Sequence, residues 1–290
     1  MKKKTVAVIM TAVMAMGMVS AVSVQAGVED KTLIVGFDAE YPPYGYMDEN
    51  GEYTGFDLEL AQAVCDIEGW ELVKKPINWD SKDMELNSGS IDCIWNGFTM
   101  NGREDDYTFS EPYVDNSQVI VVSEASEIEK LTDLAGKTVG VQAASAALDL
   151  LNSEEEGGQK ALADTFGALN EFADYNTAFT ELQAGALDAL AIDVGVAKYQ
   201  LNSRGEGFKI LDETLNTEQY AIGFKKGNTE LCDIVNTDLQ KLADDGTVAK
   251  LADKYEIADM VTLKASDDAA ADDTKETSDE ADVDKTEESK

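Results

Sequence analysis

Two nine-residue segments of this chain follow one pattern. Leu86-Asn87-Ser88-Gly89-Ser90-Ile91-Asp92-Cys93-Ile94 and Leu182-Gln183-Ala184-Gly185-Ala186-Leu187-Asp188-Ala189-Leu190 both read L-x-x-G-x-[IL]-D-x-[IL]. In each, an apolar-faced helix runs into a glycine, the residue that most readily takes the left-handed turn ending a helix, and a short buried strand follows. The same helix–Gly–strand unit at two distant places predicts two similarly built α/β lobes.

The surrounding segments supply the alternation such lobes need. Residues 32–37 and 72–77 read as strands around an amphipathic helix over 56–68, whose Leu60, Ala61, Val64 and Cys65 share one face. A further helix runs up to Gly89, and the extended run 118–122 suits a crossing between lobes. The second lobe repeats the scheme: strand 138–141, helix 146–151, a strand at Phe172, helix 177–184, strand 189–192. Residues 220–224 read as a strand and 238–255 as one long helix. This alternation predicts an α/β fold with mostly parallel sheets, helices on both faces and ligands bound beyond the carboxyl ends of the strands.

Both ends stand apart from that body. Lys2, Lys3 and Lys4 precede an apolar run over 6–22, and Val24-Gln25-Ala26 offers small residues for cleavage after Ala26. Residues 1–26 therefore read as an export signal; retention as an uncleaved anchor is the alternative, since the run almost spans a bilayer. The first cysteine is Cys65, so no N-terminal cysteine is available for lipid attachment. Residues 265–290 hold eleven acids against three lysines and no aromatic side chain. Such a stretch cannot bury enough apolar surface to offset its ordering entropy, and a disordered acidic tail is expected.

The net charge of −35 makes nucleic acid and anionic lipid poor partners. With no histidine in the chain, histidine-based catalysis and the usual zinc sites are excluded. Cys65, Cys93 and Cys232 each fall at an apolar-compatible position; buried free thiols are expected, with one disulfide and a leftover thiol as the alternative.

Of the 23 basic residues only Arg103 and Arg204 are arginine. Arg103 follows the strand-like run 91–95 through a glycine-containing turn, where a planar fork of N–H donors is well placed to clamp a carboxylate. Superposing the two repeats sets Gly97 opposite Asp193, each just past its strand. Arg103 and Asp193 are thereby candidates for opposite walls of one cleft, a cation and an anion suited to the carboxylate and ammonium of an amino acid.

Several segments carry a family resemblance. Gly36-Phe37-Asp38-Ala39-Glu40-Tyr41-Pro42-Pro43-Tyr44, Gly55-Phe56-Asp57-Leu58-Glu59-Leu60, Asn96-Gly97-Phe98-Thr99 with Arg103, Phe109-Ser110-Glu111-Pro112-Tyr113 and Gly136-Lys137-Thr138-Val139-Gly140-Val141 resemble the polar amino-acid-binding proteins of ABC importers, family 3 of the bacterial extracellular solute-binding proteins. The likeness runs from about residue 32 to 255. It implies the type II periplasmic-binding-protein fold: two α/β lobes, joined by two hinge strands, closing on a ligand cleft. Lobe 1 would comprise 27–115 plus 221–264, and lobe 2 would comprise 116–220 with the hinge strands at its ends. By the same resemblance Arg103 and Thr99 would hold the ligand's α-carboxylate, with a backbone bond at Gly97, and Asp193 the α-ammonium. Gln142 and Ser145 would contribute from lobe 2, while Asp38, Tyr41 and Trp79 would line the side-chain pocket. Asn96 and Glu40 are either pocket groups or solvated side chains, and Asp57 is a structural helix-start residue. The chain departs from the family pattern in two places. The spacing from Thr99 to Arg103 is one residue shorter than in many members, and Ala143-Ala144-Ser145-Ala146 lacks the usual glycine and second hydroxyl residue.

The expected protein is an exported, periplasmic or cell-surface monomer that captures an L-amino acid and delivers it to a membrane permease, with no catalytic residue, metal or cofactor of its own. A chemoreceptor-linked binder would show the same residues. A dehydratase-like enzyme on this fold would need a general acid, for which Asp38 and Glu40 are the candidates. Asp38 and the acidic surroundings point to a basic or amide side chain, and cystine competes on the strength of aromatic walls and polar ends. Acidic amino acids are disfavoured unless a lysine joins Arg103.

Overall fold

The computed structural model describes residues 31–205 and 207–267. The export signal and most of the acidic tail expected from the sequence lie outside them. Two sheets form the body, and the three parallel strands of each lie in the same order. In the first, Glu71–Pro76, Thr32–Phe37, Cys93–Ile94, Gly223–Lys225 and Tyr107–Phe109 lie side by side. In the second the order is Ala168–Phe172, Thr138–Gln142, Ala189–Asp193, Val114–Ser123 and Phe208–Ile210. The first three strands of each sheet are parallel and the rest are antiparallel.

The repeated motif is the structural unit that makes the sheets alike. Gly89 and Gly185 end their helices at φ 77° and 75°. Asp92 Oδ2 accepts from the backbone N–H of Ile34 at 2.8 Å, and Asp188 Oδ2 from that of Thr138 at 2.8 Å. The backbone N–H of each aspartate returns a bond to the carbonyl of the same residue. Each motif thus clips its strand to the central strand of its sheet. Registers agree as well: Gly36 pairs with Ile94 and Gly140 with Leu190. A methyl group at Gly36 would collide with Ile91, and one at Gly140 with Leu187, the matching residue of the other motif.

Helices cover both faces of each sheet, as apolar strands require. Phe56–Glu68 buries Leu60, Ala61, Val64 and Cys65 and packs against Thr229–Asp244. Lys82–Ser88 covers the other face, over a cluster of Leu86, Ile91, Ile94 and Phe98. On the second sheet Tyr175–Gln183 and Val194–Arg204 lie on one side and Ala146–Asn152 on the other. Two helices are capped as their sequences suggest: Ser145 accepts from Leu148 N–H and Asp174 from Thr177 N–H. All three cysteines are buried free thiols.

Three expectations need correction. Mostly parallel sheets were expected, but among the described residues only the first three strands of each sheet pair in parallel and antiparallel pairings are the more numerous, because the crossing strands and a small antiparallel sheet join the parallel cores. The long helix over 238–255 is instead a pair, Thr229–Asp244 and Thr247–Lys254, broken where Gly246 turns left-handed at φ 80°. The strand over 220–224 is likewise two strands that serve different sheets. Asn216–Tyr220 pairs antiparallel with the start of Val114–Ser123, whereas Gly223–Lys225 joins the first sheet. The helix Val194–Arg204 was not anticipated, because its apolar residues mark no clear stripe.

The two motif aspartates differ in burial: Asp92 is buried and Asp188 exposed. Replacing Asp92 by Ala strands the Ile34 amide in a part-buried site, at a cost of about 1–3 kcal/mol. Water replaces the carboxylate at Thr138, so Asp188→Ala is expected to cost under about 1 kcal/mol. Urea denaturation of the two variants checks the order; equal losses would mean that the clip is not what distinguishes them.

Candidate functional site

The two sheets present the carboxyl ends of their central strands to one another. Asp38 lies just past Thr32–Phe37, and Gln142 is the last residue of Thr138–Gln142. They hold equivalent places in the two lobes, and Gln142 Nε2 donates to Asp38 Oδ2 at 2.7 Å across the junction. Burial pushes the Asp38 carboxyl from 3.8 to about 6, against the lowering effect of its bonds to Glu40 N–H and Gln142. Nearby, Asn176 of lobe 2 donates to the carboxylate of Glu40.

Deeper in the junction lies a polar cluster made by the two crossing strands. Side chains two residues apart on a strand share a face, so Asn116 with Gln118 and Glu218 with Tyr220 point the same way. Asn116 Nδ2 donates to Asp193 Oδ1 at 2.9 Å and to Glu218 Oε1 at 2.8 Å. Gln118 Nε2 donates to the same two oxygens at 2.6 and 2.8 Å. Tyr220 adds a hydroxyl donor to Asp193 at 2.7 Å, and Tyr175 a longer one at 3.3 Å. Burial and then Asp193 raise the Tyr220 hydroxyl well above its ordinary value, which keeps it a donor. Two carboxyl groups this close cannot both ionise cheaply. Burial and then Asp193 push Glu218 from 4.5 to about 7. The carbonyl oxygens Asn116 Oδ1 and Gln118 Oε1 are buried without a partner. The cluster is rich in acceptors and lacks a cation.

Tyrosines surround it. Tyr41 meets Tyr220 hydroxyl to hydroxyl at 3.1 Å, and its ring lies 6.1 Å from that of Tyr175 in the other lobe. Gly97 sits against this wall, where an added Cβ would come within 2.9 Å of Tyr220 and 3.0 Å of Tyr41. The Gly97 N–H donates to Asp57 Oδ2 at 2.6 Å, which leaves its carbonyl as the backbone group open to a ligand. Asp57 is fully buried, and burial pushes its carboxyl to about 7. Asn96 is buried with neither amide atom partnered.

Thr99 joins this cluster to the arginine. Its hydroxyl donates to Glu218 at 2.7 Å, while Arg103 Nη1 donates to the Thr99 carbonyl at 3.2 Å. Arg103 Nη2 crosses to Asp149 of lobe 2 at 2.7 Å, and its guanidinium stacks 5.1 Å from the Phe98 ring. Arg103, Lys82, Thr99, Ala144 and Glu218 line one cavity of about 980 Å³ between the lobes. Ala144 occupies the left-handed region at φ 54°, in the turn where the family pattern carries a glycine. Ser145 caps the following helix, and Trp79 packs edge-on to Phe98 at 5.8 Å.

The structure brings Asp38 to Gln142 across the lobe junction and Thr99 to Arg103 beside Glu218, with Tyr41 in the wall against Tyr220, while Ser145 is buried at the start of its own helix. Asp193 is joined to Glu218 through the amide groups of Asn116 and Gln118, and Glu218 in turn accepts from Thr99. Sequence reasoning missed Glu218, Asn116, Gln118 and Lys82. Polar residues at alternating positions of the crossing strands were the available signal for the first three. Lys82 carried none, because a helix-start lysine is ordinarily solvated.

The family model for bacterial extracellular solute-binding proteins, family 3, matches residues 33–258. The L-cystine-binding protein TcyJ of Escherichia coli is 28% identical over 260 residues, covering 86% of this chain and 94% of that protein. The arginine-binding extracellular protein ArtP of Bacillus subtilis is 33% identical over 229 residues, covering 78% and 86%. A histidine-bound substrate-binding protein of an ABC uptake transporter from Streptococcus pneumoniae superposes with a TM-score of 0.76 at 32% identity, covering 81% of this chain and 96% of that one.

A proton held by Glu218 in the folded state is released by the unfolded chain between about pH 4.5 and 7. The stability it confers is fully present below about 4.5 and is lost as pH rises through about 7. Asp38 and Asp57 act in the same direction. The ligand-free protein is expected to melt lower at pH 8 than at pH 5.5, and Glu218→Gln to narrow that difference. Melting curves in which the variant keeps the full difference would show that Glu218 is ionised in the folded protein.

Proposed function

Since this chain belongs to family 3 of the bacterial extracellular solute-binding proteins, we propose that it captures an L-amino acid between its lobes and delivers it to the permease of an ABC importer. The observation that carries this reading is the pairing of a cationic and an anionic wall at the lobe junction. Arg103 offers a carboxylate clamp, and the Asp193–Glu218 cluster offers four convergent acceptor groups with no cation among them. An α-ammonium supplies the missing positive charge, and the neighbouring α-carboxylate takes the arginine fork.

In this mechanism the ligand competes with the protein's own groups. Asp149 holds Arg103 until a ligand carboxylate displaces it, a small loss because Asp149 is two-thirds exposed. The positive charge of the ammonium favours ionisation of Glu218, whose proton passes to solvent. Contacts to both lobes exist only when the lobes are together, so binding shifts the equilibrium toward the closed form that the permease reads. We assign lobe 1 to 27–115 plus 221–264 and lobe 2 to 116–220, and we take the protein to act outside the cytoplasm as a monomer. Binding without catalysis is the preferred reading. The acids that a dehydratase-like reaction would recruit, Asp38 and Glu40, are engaged by Gln142 and Asn176.

Thermal-shift and calorimetric titration of ligand-free protein with the common L-amino acids and cystine test this function. At about a hundred times its dissociation constant a true ligand adds about 2.7 kcal/mol of stability. Arg103→Ala is expected to weaken binding by at least about a hundredfold, as a charged hydrogen-bonded pair is lost. Asp149→Asn removes the competitor and is expected to tighten binding by up to about fivefold. No response to any amino acid would overturn the function.

A further inference from the structure

Among the described residues, Lys82 is a buried lysine with no carboxylate partner. It opens the helix Lys82–Ser88 in lobe 1 and is only 5% exposed. Its Nζ donates to the carbonyl of Ala144 in lobe 2 at 3.1 Å and lies 5.1 Å above the ring of Trp79. Among the described residues it forms no ion pair. The nearest charged groups are Arg103, Asp80, Asp83 and Asp149, and of these Asp149 is bound to Arg103. Burial first, and then the positive charge of Arg103, lower the ammonium to about 8. A carbonyl alone satisfies one of its three N–H donors.

Two cations that share a cleft wall repel one another, and each loses hydration there. Arg103 recovers part of that loss from an ion pair with Asp149; Lys82 bonds a carbonyl, faces an aromatic ring and feels Asp83, Asp149 and Asp80 without pairing with any of them. Resting on the amino-acid reading above, we propose that Lys82 is a specificity-determining residue and that the ligand carries a second carboxylate, held by Lys82 while Arg103 holds the first. Lys82 occupies the Trp79 face, where a cationic side chain of the ligand would otherwise sit, so a basic amino acid would meet a like charge there. The condition under which acidic ligands were disfavoured, the want of a lysine beside Arg103, does not hold in this fold. The shared chemistry is an amino acid with a distal carboxylate. Dicarboxylic amino acids and cystine are its two sources.

Isothermal titration of ligand-free protein with two matched pairs distinguishes them. Glutamate and glutamine differ by one charge at nearly equal volume. Cystine and the mixed disulfide of cysteine with cysteamine differ by one carboxylate. The diacid is expected to bind at least about tenfold tighter than its partner in one pair, and the pair that shows it identifies the source. Lys82→Met is expected to bring that ratio close to one, and Lys82→Arg to retain it. A wild-type ratio near one in both pairs overturns the proposal, as does a ratio that survives Lys82→Met while both affinities fall, since that marks a lobe latch rather than a carboxylate site. Tight binding of glutamine or another monocarboxylic amino acid without preference for a diacid would overturn this proposal and leave amino-acid capture standing. No binding by any amino acid would overturn both.

Discussion

The antiparallel pairing of Val114–Ser123 with Asn216–Tyr220 is the contact on which the rest of the molecule depends. These strands carry the chain between the sheets, and their shared face decides what lies at the lobe junction. Antiparallel strands alternate side chains, so a single register places Asn116 opposite Glu218 and brings Gln118 beside them. A one-residue slip would turn all of these groups to the opposite face. The Asp193 carboxylate, the Thr99 hydroxyl and the Tyr220 hydroxyl all bond into that cluster. Both lobes are therefore tied to the crossing strands through buried polar bonds, whose strength comes from the absence of competing water.

Charge at the junction runs against the character of the whole chain. The protein carries a net charge of −35, yet one wall of its interlobe cavity holds Arg103 and Lys82 side by side. The facing cluster holds Asp193 and Glu218 with two amide groups between them. Separated opposite charges in one cleft suit a zwitterion, since each end finds its counter-charge without crossing the other. The overall negative field does not select that ligand, because it is screened beyond about 8 Å in physiological salt. Selection falls to the few buried groups, whose interactions are screened far less.

Much of the fold was legible because its signals are local. The L-x-x-G-x-[IL]-D-x-[IL] pattern compresses a helix stop, an apolar plug and a strand clip into nine residues. Asp92 and Asp188 perform one task at matching positions. The equivalence of Gly36 with Gly140, and of Asp38 with Gln142, follows from that one alignment once the registers are known. Where local signals conflicted, the reading failed. The apolar run 220–224 looks like one strand, but Ala221 and Ile222 carry the chain from the crossing strands into the first sheet. Gly246, one glycine inside a strongly helical pattern, was enough to divide a helix.

By itself the sequence determined two α/β lobes built on one repeated unit, a guanidinium placed past a strand end, and an amino acid as the expected ligand. The first two follow from periodicity and from residue types within a few positions of each other, and the third from the repeat superposition and the family resemblance. Only the tertiary structure decided which charges meet. Thr99 and Glu218 are 119 residues apart, and Lys82 reaches Ala144 across 62. Partners at such separations are set by strand register and lobe packing. A helix-start lysine reads the same in sequence whether it is solvated or buried over Trp79 beside an arginine, because its charge is encoded by the residue and its environment by the fold.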